Sequence, residues 1–124
     1  MRTHKHPFFE ESPDIKIIID KQDYKIVEAN KSARKFFKNL RNNKGNKYLS
    51  DIFPAGVSHK QLKRITNNSS KKTFHINSLE LIGNNGTIHN LNADIVTTKV
   101  KNQRLLESHR MYTSFPAARR ERPA

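Results

Sequence analysis

Residues 9–40, FEESPDIKIIIDKQDYKIVEANKSARKFFKNL, decide the fold. Phe8 and Phe9, with Glu10, Glu11 and Ser12 behind them, predict a short helix that ends before Pro13. A proline pushes the residue ahead of it out of the helical region. Ile15, Ile17 and Ile19 then alternate on one face of a strand, and Ile18 places an apolar group on the other. The β-branched side chains suit a pleated, part-buried surface. The polar run Asp20–Tyr24 turns the chain into a second strand, Lys25–Ala29. Asn30 is a good helix N-cap, because its side-chain oxygen can accept from a free backbone N–H of the first turn. Behind it Ala33, Phe36, Phe37 and Leu40 fall at i, i+3, i+4 and i+7 and predict one apolar helical face. Lys31, Arg34, Lys35 and Lys38 occupy the other face.

Working outward, Tyr48–Phe53 has room for one helical turn before Pro54 ends it. Ser58 and Gln61 have the spacing of a capping box, with Val57 and Leu62 at the hydrophobic-staple positions. They predict a helix carrying Leu62 and Ile65 and ending at Asn67–Ser70. The segments 73–82 and 87–98 read as strands joined by a turn, Gly83-Asn84-Asn85-Gly86, rich in residues that tolerate positive φ. In the second of these strands Leu91, Ala93 and Ile95 alternate inward. In the first, Phe74 and Ile76 share one parity and Leu79 and Leu81 the other, which predicts a bulge near Ser78. A last strand is expected over 103–113.

The 124 residues bound the answer to one domain with one core. Apolar residues make up 34% of the chain, so the core is thin and is easier to stabilise when a partner or second subunit covers some of it. The absence of cysteine excludes disulfides, thiolate metal sites and a cysteine nucleophile. No apolar run approaches the ~18–20 residues that span a bilayer, and the N-terminus lacks the apolar segment of a secretory signal. A cytoplasmic location is expected. The net charge of +13 raises nucleic acid as a partner, since basic proteins bind phosphate polymers by counterion release. The basic residues, however, are spread along the chain without a run of five or six. All 15 Lys, 11 Ile and 13 Asn precede residue 103, the residue bias of an AT-rich coding sequence, which accounts for the charge without a nucleic-acid partner.

Composition changes after Gln103. Residues 104–124 contain no Lys, Asn or Ile and hold five of the nine Arg residues. The expected organisation is an N-terminal extension over 1–7, a domain over 8–113, and a basic tail over 114–124 that is disordered or foreign to the native reading frame.

The order of strand, strand, three helical pieces and an antiparallel three-stranded ribbon resembles that of PAS sensory domains. The resemblance rests on FFEESPDIKIIID (8–20), on IVEANKSARKFF (26–37) with its "Asn-x-x-Ala" phrase, on LSDIFP (49–54) and on the Gly86 hairpin. The closing strand, LLESHRMYTSF (105–115), is more polar than the family pattern. The resemblance implies an α+β fold, a five-stranded antiparallel sheet with helices packed on one face. It also implies a signal-sensing and dimerisation module of a larger signal-transduction protein. The output there would be a histidine kinase of a two-component system, a cyclic-dinucleotide enzyme or a transcription regulator, outside these residues.

PAS-like domains hold ligands between sheet and helices. The candidate pocket residues are Ile17, Ile19, Phe36, Phe37, Leu40, Ile52, Phe53, Leu62, Ile65, Leu91, Ala93 and Ile95. Phe8 and Phe9 are the candidate dimer contact, together with the outer sheet face. The cofactor is unknown: cysteinyl-flavin chemistry is excluded, and a haem would have to use His59, the one histidine on the helix that starts at Ser58. His75 and His89 lie in the hairpin, where a cross-strand pair could bind metal but where two solvent-facing polar residues is the plainer reading. No metal site is assigned. His4 and His6 belong to a frayed terminus. No catalytic residue is assigned, since Asp20, Asp23 and Glu28 sit among lysines as surface charges do, and no nucleophile elbow, P-loop or zinc-protease motif is present. The alternatives are a small basic nucleic-acid-binding protein, or a ligand-free PAS domain that acts only by interaction.

Overall fold

The computed structural model describes residues 7–40, 45–101 and 107–117. His4 and His6, residues 41–44, the expected start of the last strand and the end of the basic tail lie outside them. The described elements are the helices α1 (Pro7–Glu10), α2 (Lys31–Phe36) and α3 (Ser58–Thr66), and the strands β1 (Ile15–Asp20), β2 (Ile26–Ala29), β3 (Thr73–Ile82), β4 (Ile88–Lys101) and β5 (Glu107–Phe115). The strands form one antiparallel sheet in the order β2-β1-β5-β4-β3, so β1 and β5 are adjacent at its centre. The fold is α+β, as expected.

The β1–β2 turn is closed by the short polar residues the sequence places there. Asp20 N donates to Lys25 O, and the carboxylates of Asp20 and Asp23 accept from the N–H groups of Gln22 and Lys25. Tyr24 takes φ +60° at the point of reversal. The β3–β4 turn uses Gly86 at φ +83°, with Gly86 N donating to Gly83 O and Gly83 N to Thr87 O. The expected bulge is present: register shifts between Ile76 and Leu79, and Ser78 sits at φ +58°. Because side chains alternate along a strand, one extra residue is what lets both Ile76 and Leu79 face the core.

Three expectations need correction. The helix after Asn30 does not run to Leu40. It stops at Phe36, and Phe37 is extended, with its backbone bridging Gly83, because that bridge draws Phe37 toward the hairpin. Its ring stacks edge-on against Phe36 and Phe115. The capping box at Ser58 does not form. A 3-10 turn, Ala55–Val57, runs straight into α3, so Ser58 is already helical (φ −56°, ψ −47°) and its hydroxyl donates to Ser50 O instead. Gln61 then turns into the sheet. Finally, β4 continues to Lys101 and β5 to Phe115, beyond the expected ends at Thr98 and Thr113. The fully buried Phe115 faces Ile15 across the β1–β5 pair and belongs to the core.

Candidate functional site

One face of the sheet is covered by helices, and that interface is where the candidate residues meet. Register fixes the rows. Ile17, Thr113 and Ile95 lie opposite one another across β1, β5 and β4, and Ile95 faces Phe74 of β3. The next row is Ile19, Met111 and Thr97. Further along β4, Ala93 faces Ile76 and Leu91 faces Leu79. Ala33, Phe37, Leu40, Leu49, Ile52, Phe53 and Ile65 come from the helical side and close the same buried cluster.

Ten of the twelve candidate pocket residues belong to this cluster: Ile17, Ile19, Phe37, Leu40, Ile52, Phe53, Ile65, Leu91, Ala93 and Ile95. Phe36 and Leu62 are half-buried against it. Ile15, Ala33, Ile76, Leu79 and Leu81, apolar in the sequence pattern but not among the pocket candidates, also belong to it. Leu49, Met111 and Phe115, which the sequence reading missed, complete it; the two threonines in the rows were missed as well. Three clefts among the described residues lie elsewhere, at Lys31, Arg34, Lys35 and Asn84, at Lys21, Gln22, Ser108 and His109, and beside Arg64 and His75. No candidate pocket residue lines them.

Two amides wire the surrounding shell. Asn30 is fully buried. Its Oδ1 accepts from Ala33 N, as the N-cap reading expects, and also from Lys16 N, while its Nδ2 donates to Phe9 O and Asp14 O. One side chain thus joins α1, β1 and α2. Ser32 Oγ donates to Ser12 O, and Arg34 makes a two-pronged contact with Glu10, with Nη2–Oε2 at 2.6 Å. The hydrogen bond to Glu10 raises the Arg34 pKa above its ordinary value, against the lowering effect of burial; the negative charges of Glu10 and Glu11 add to the rise. Arg34 therefore stays protonated into strongly alkaline solution, and its share of stability is lost only as pH rises through that raised value. On the exit side, Ala117 N donates to Asp14 Oδ1, so the chain enters and leaves the sheet at one junction.

Gln61, also buried, does the same for the bulge. Its Oε1 accepts from Glu80 N and from Arg64 Nη1. Arg64 in turn donates to the carbonyls of Ser78 and Asn77, and Ser78 N donates to Asn92 Oδ1.

Phe8 is 79% exposed, while Phe9 is half-buried. On the outer sheet face, Ile18, Tyr112 and Val96 stand opposite one another across β1, β5 and β4. Tyr112 and Val96 are exposed. The histidines do not pair. His75 faces Asp94 and contacts its carboxylate, with Asn77 on its other ring nitrogen, whereas His89 faces Leu81 and stacks on Phe36. His89 lies on the inner face, in line with Leu91, and not toward solvent. His59 is exposed on α3.

No protein-family model and no curated protein sequence matches the chain. Solved structures do. A PAS domain from Desulfitobacterium hafniense is 17% identical, with TM-score 0.54, over 90% of this chain and 100% of that one. A PAS domain from Colwellia psychrerythraea is 14% identical, with TM-score 0.57, over 90% and 93%. The phage VqmA–DPO complex is 12% identical, with TM-score 0.52, over 90% of this chain and 50% of that one. Element order, sheet topology and these likenesses agree: the chain has the PAS fold.

Proposed function

We propose that this domain is a signal-sensing and dimerisation module of a cytoplasmic signalling protein, regulating an output domain outside these residues and carrying no catalytic chemistry of its own. The observation that carries the reading is the entry junction. Asn30 hydrogen-bonds at once to α1, to β1 at the wall of the sheet–helix interior and to α2 at its roof. A ligand that changed the spacing of sheet and helices would be felt at α1 through that side chain. Differential affinity for two arrangements of these parts is what would carry a signal.

The homodimer contact in this reading joins Phe8 and Phe9 of α1 to the apolar row Ile18, Tyr112 and Val96. Native mass spectrometry of the purified protein, compared with its denatured mass, tests both halves. A dimer carrying a small extra mass that is lost on denaturation is the expected result. A bare dimer would reduce the role to interaction alone. A monomer carrying oligonucleotide would overturn the reading in favour of the +13 charge. Phe8→Ser is expected to weaken the dimer at least tenfold in sedimentation, and an unchanged dimer would remove α1 from the contact.

A further inference from the structure

Four polar side chains are buried among the described residues: Asn30, Gln61, Thr97 and Thr113. The two amides are bonded as described. The two threonines are not: Thr97 is 8% exposed and Thr113 2%, and the Oγ1 atom of each lies out of water with no hydrogen-bond partner. Buried hydroxyls are nearly always satisfied, and an exception calls for a specific cause. Valine has the same shape and would fill these positions without a hydroxyl to desolvate.

The register brings the two together. Thr113 lies opposite Ile95, and Thr97, two residues further along β4, lies opposite Met111. The threonines are thus diagonal neighbours on one face, with backbones about 7–8 Å apart. That face is the one the helices cover. Each hydroxyl can donate once and also accept, so a single small molecule carrying one donor and one acceptor side by side could engage both. Met111, on the same face between them, is an unbranched side chain able to repack around an occupant. No charged side chain is buried among the described residues, so a charged ligand would find no counter-ion there.

We propose that Thr97 and Thr113 are the polar anchors of a ligand site on the inner sheet face. Its occupant is a small uncharged molecule with an apolar body and an adjacent donor–acceptor pair, such as a cyclic amide. The inference rests on the sensory reading for the place of the ligand and adds its chemistry.

The test uses 2-piperidone as probe, with the Met111 methyl as reporter in 13C-methyl-methionine protein. The wild type and the T97V/T113V double variant are titrated in parallel. A saturable Met111 shift is expected in the wild type, with at least tenfold weaker affinity in the double variant, which melts no lower. Absence of the shift, or equal affinity in the double variant, overturns the proposal. A double variant that melts several degrees lower also overturns it, by assigning the hydroxyls to a buried structural water. Native mass spectrometry of the same two proteins separates this inference from the sensory one. A co-purified mass retained equally by both would keep the sensor and discard the threonines. No co-purified mass in either would remove the sensor's ligand, while the piperidone titration still decides the threonines.

Discussion

The core contains two kinds of buried polar residue, and they behave in opposite ways. Asn30 and Gln61 lie at its rim and are bonded by backbone groups from segments far apart in sequence. Thr97 and Thr113 lie on the sheet itself, and their side-chain hydroxyls have no hydrogen-bond partner. An amide at a rim can reach the loose backbone ends of helices and bulges, which need partners. A hydroxyl in the middle of a sheet faces backbone already committed to its neighbours. The first kind holds the fold together, and the second costs stability in the free protein. Substitution should therefore move stability in opposite directions at the two kinds of site.

The largest effect is expected at Asn30. Asn30→Ala leaves the N–H groups of Lys16 and Ala33 and the carbonyls of Phe9 and Asp14 without their partner. Loss of the cap and exposure of these orphans should cost about 3 kcal/mol, or roughly 10 °C in melting temperature. A loss within 1 °C would mean that water or neighbouring side chains replace the amide, and the comparison would fail at its stronger end.

Gln61→Leu keeps most of the buried volume and removes one acceptor, Oε1, from Glu80 N and Arg64. A cost of about 1–2 kcal/mol in urea unfolding is expected. Thr113→Val should go the other way, stabilising the free protein by about 1 kcal/mol, because a desolvated hydroxyl is replaced by a methyl of the same shape. Destabilisation there would place Thr113 with the amides and erase the distinction.

Much of the rim was legible in the sequence. Asn30 stands between a β-branched strand and an apolar helical face, which marks an N-cap. The parity switch between Ile76 and Leu79 marks a bulge. Such signals are local, carried by residues within a few positions of one another. What escaped was set by distant partners. Phe37 leaves α2 because Gly83, in the hairpin, bridges its backbone. Gln61 reads as part of a capping box, yet it meets Glu80 across the fold. Thr97 continues the inward alternation of Leu91, Ala93 and Ile95 by one more step, and that was the available signal. Threonine at a strand end suits solvent equally well, so the alternation alone does not assign it to the core. Thr113 needed the β1–β5 register, which no local pattern provides.

The smallest expected effect lies at Ser78, and it tests whether the bulge draws its stability from its own backbone or from the rim. Ser78 holds φ +58°, a region that costs an L-residue about 1–2 kcal/mol and glycine little. Its hydrogen bonds run through its backbone, N–H to Asn92 and carbonyl to Arg64, so a change of side chain leaves them in place. Ser78→Gly should relieve the strain and lose part of that gain to the greater freedom of glycine in the unfolded chain, for a net stabilisation of about 0.5 kcal/mol. Ser78→Ala keeps the strain and should be neutral. If Ser78→Gly instead destabilises, the bulge needs a stiff residue to hold its geometry. The bonds from Gln61 and Arg64 would then be too weak to fix the reversal of parity that turns Leu79 and Leu81 inward.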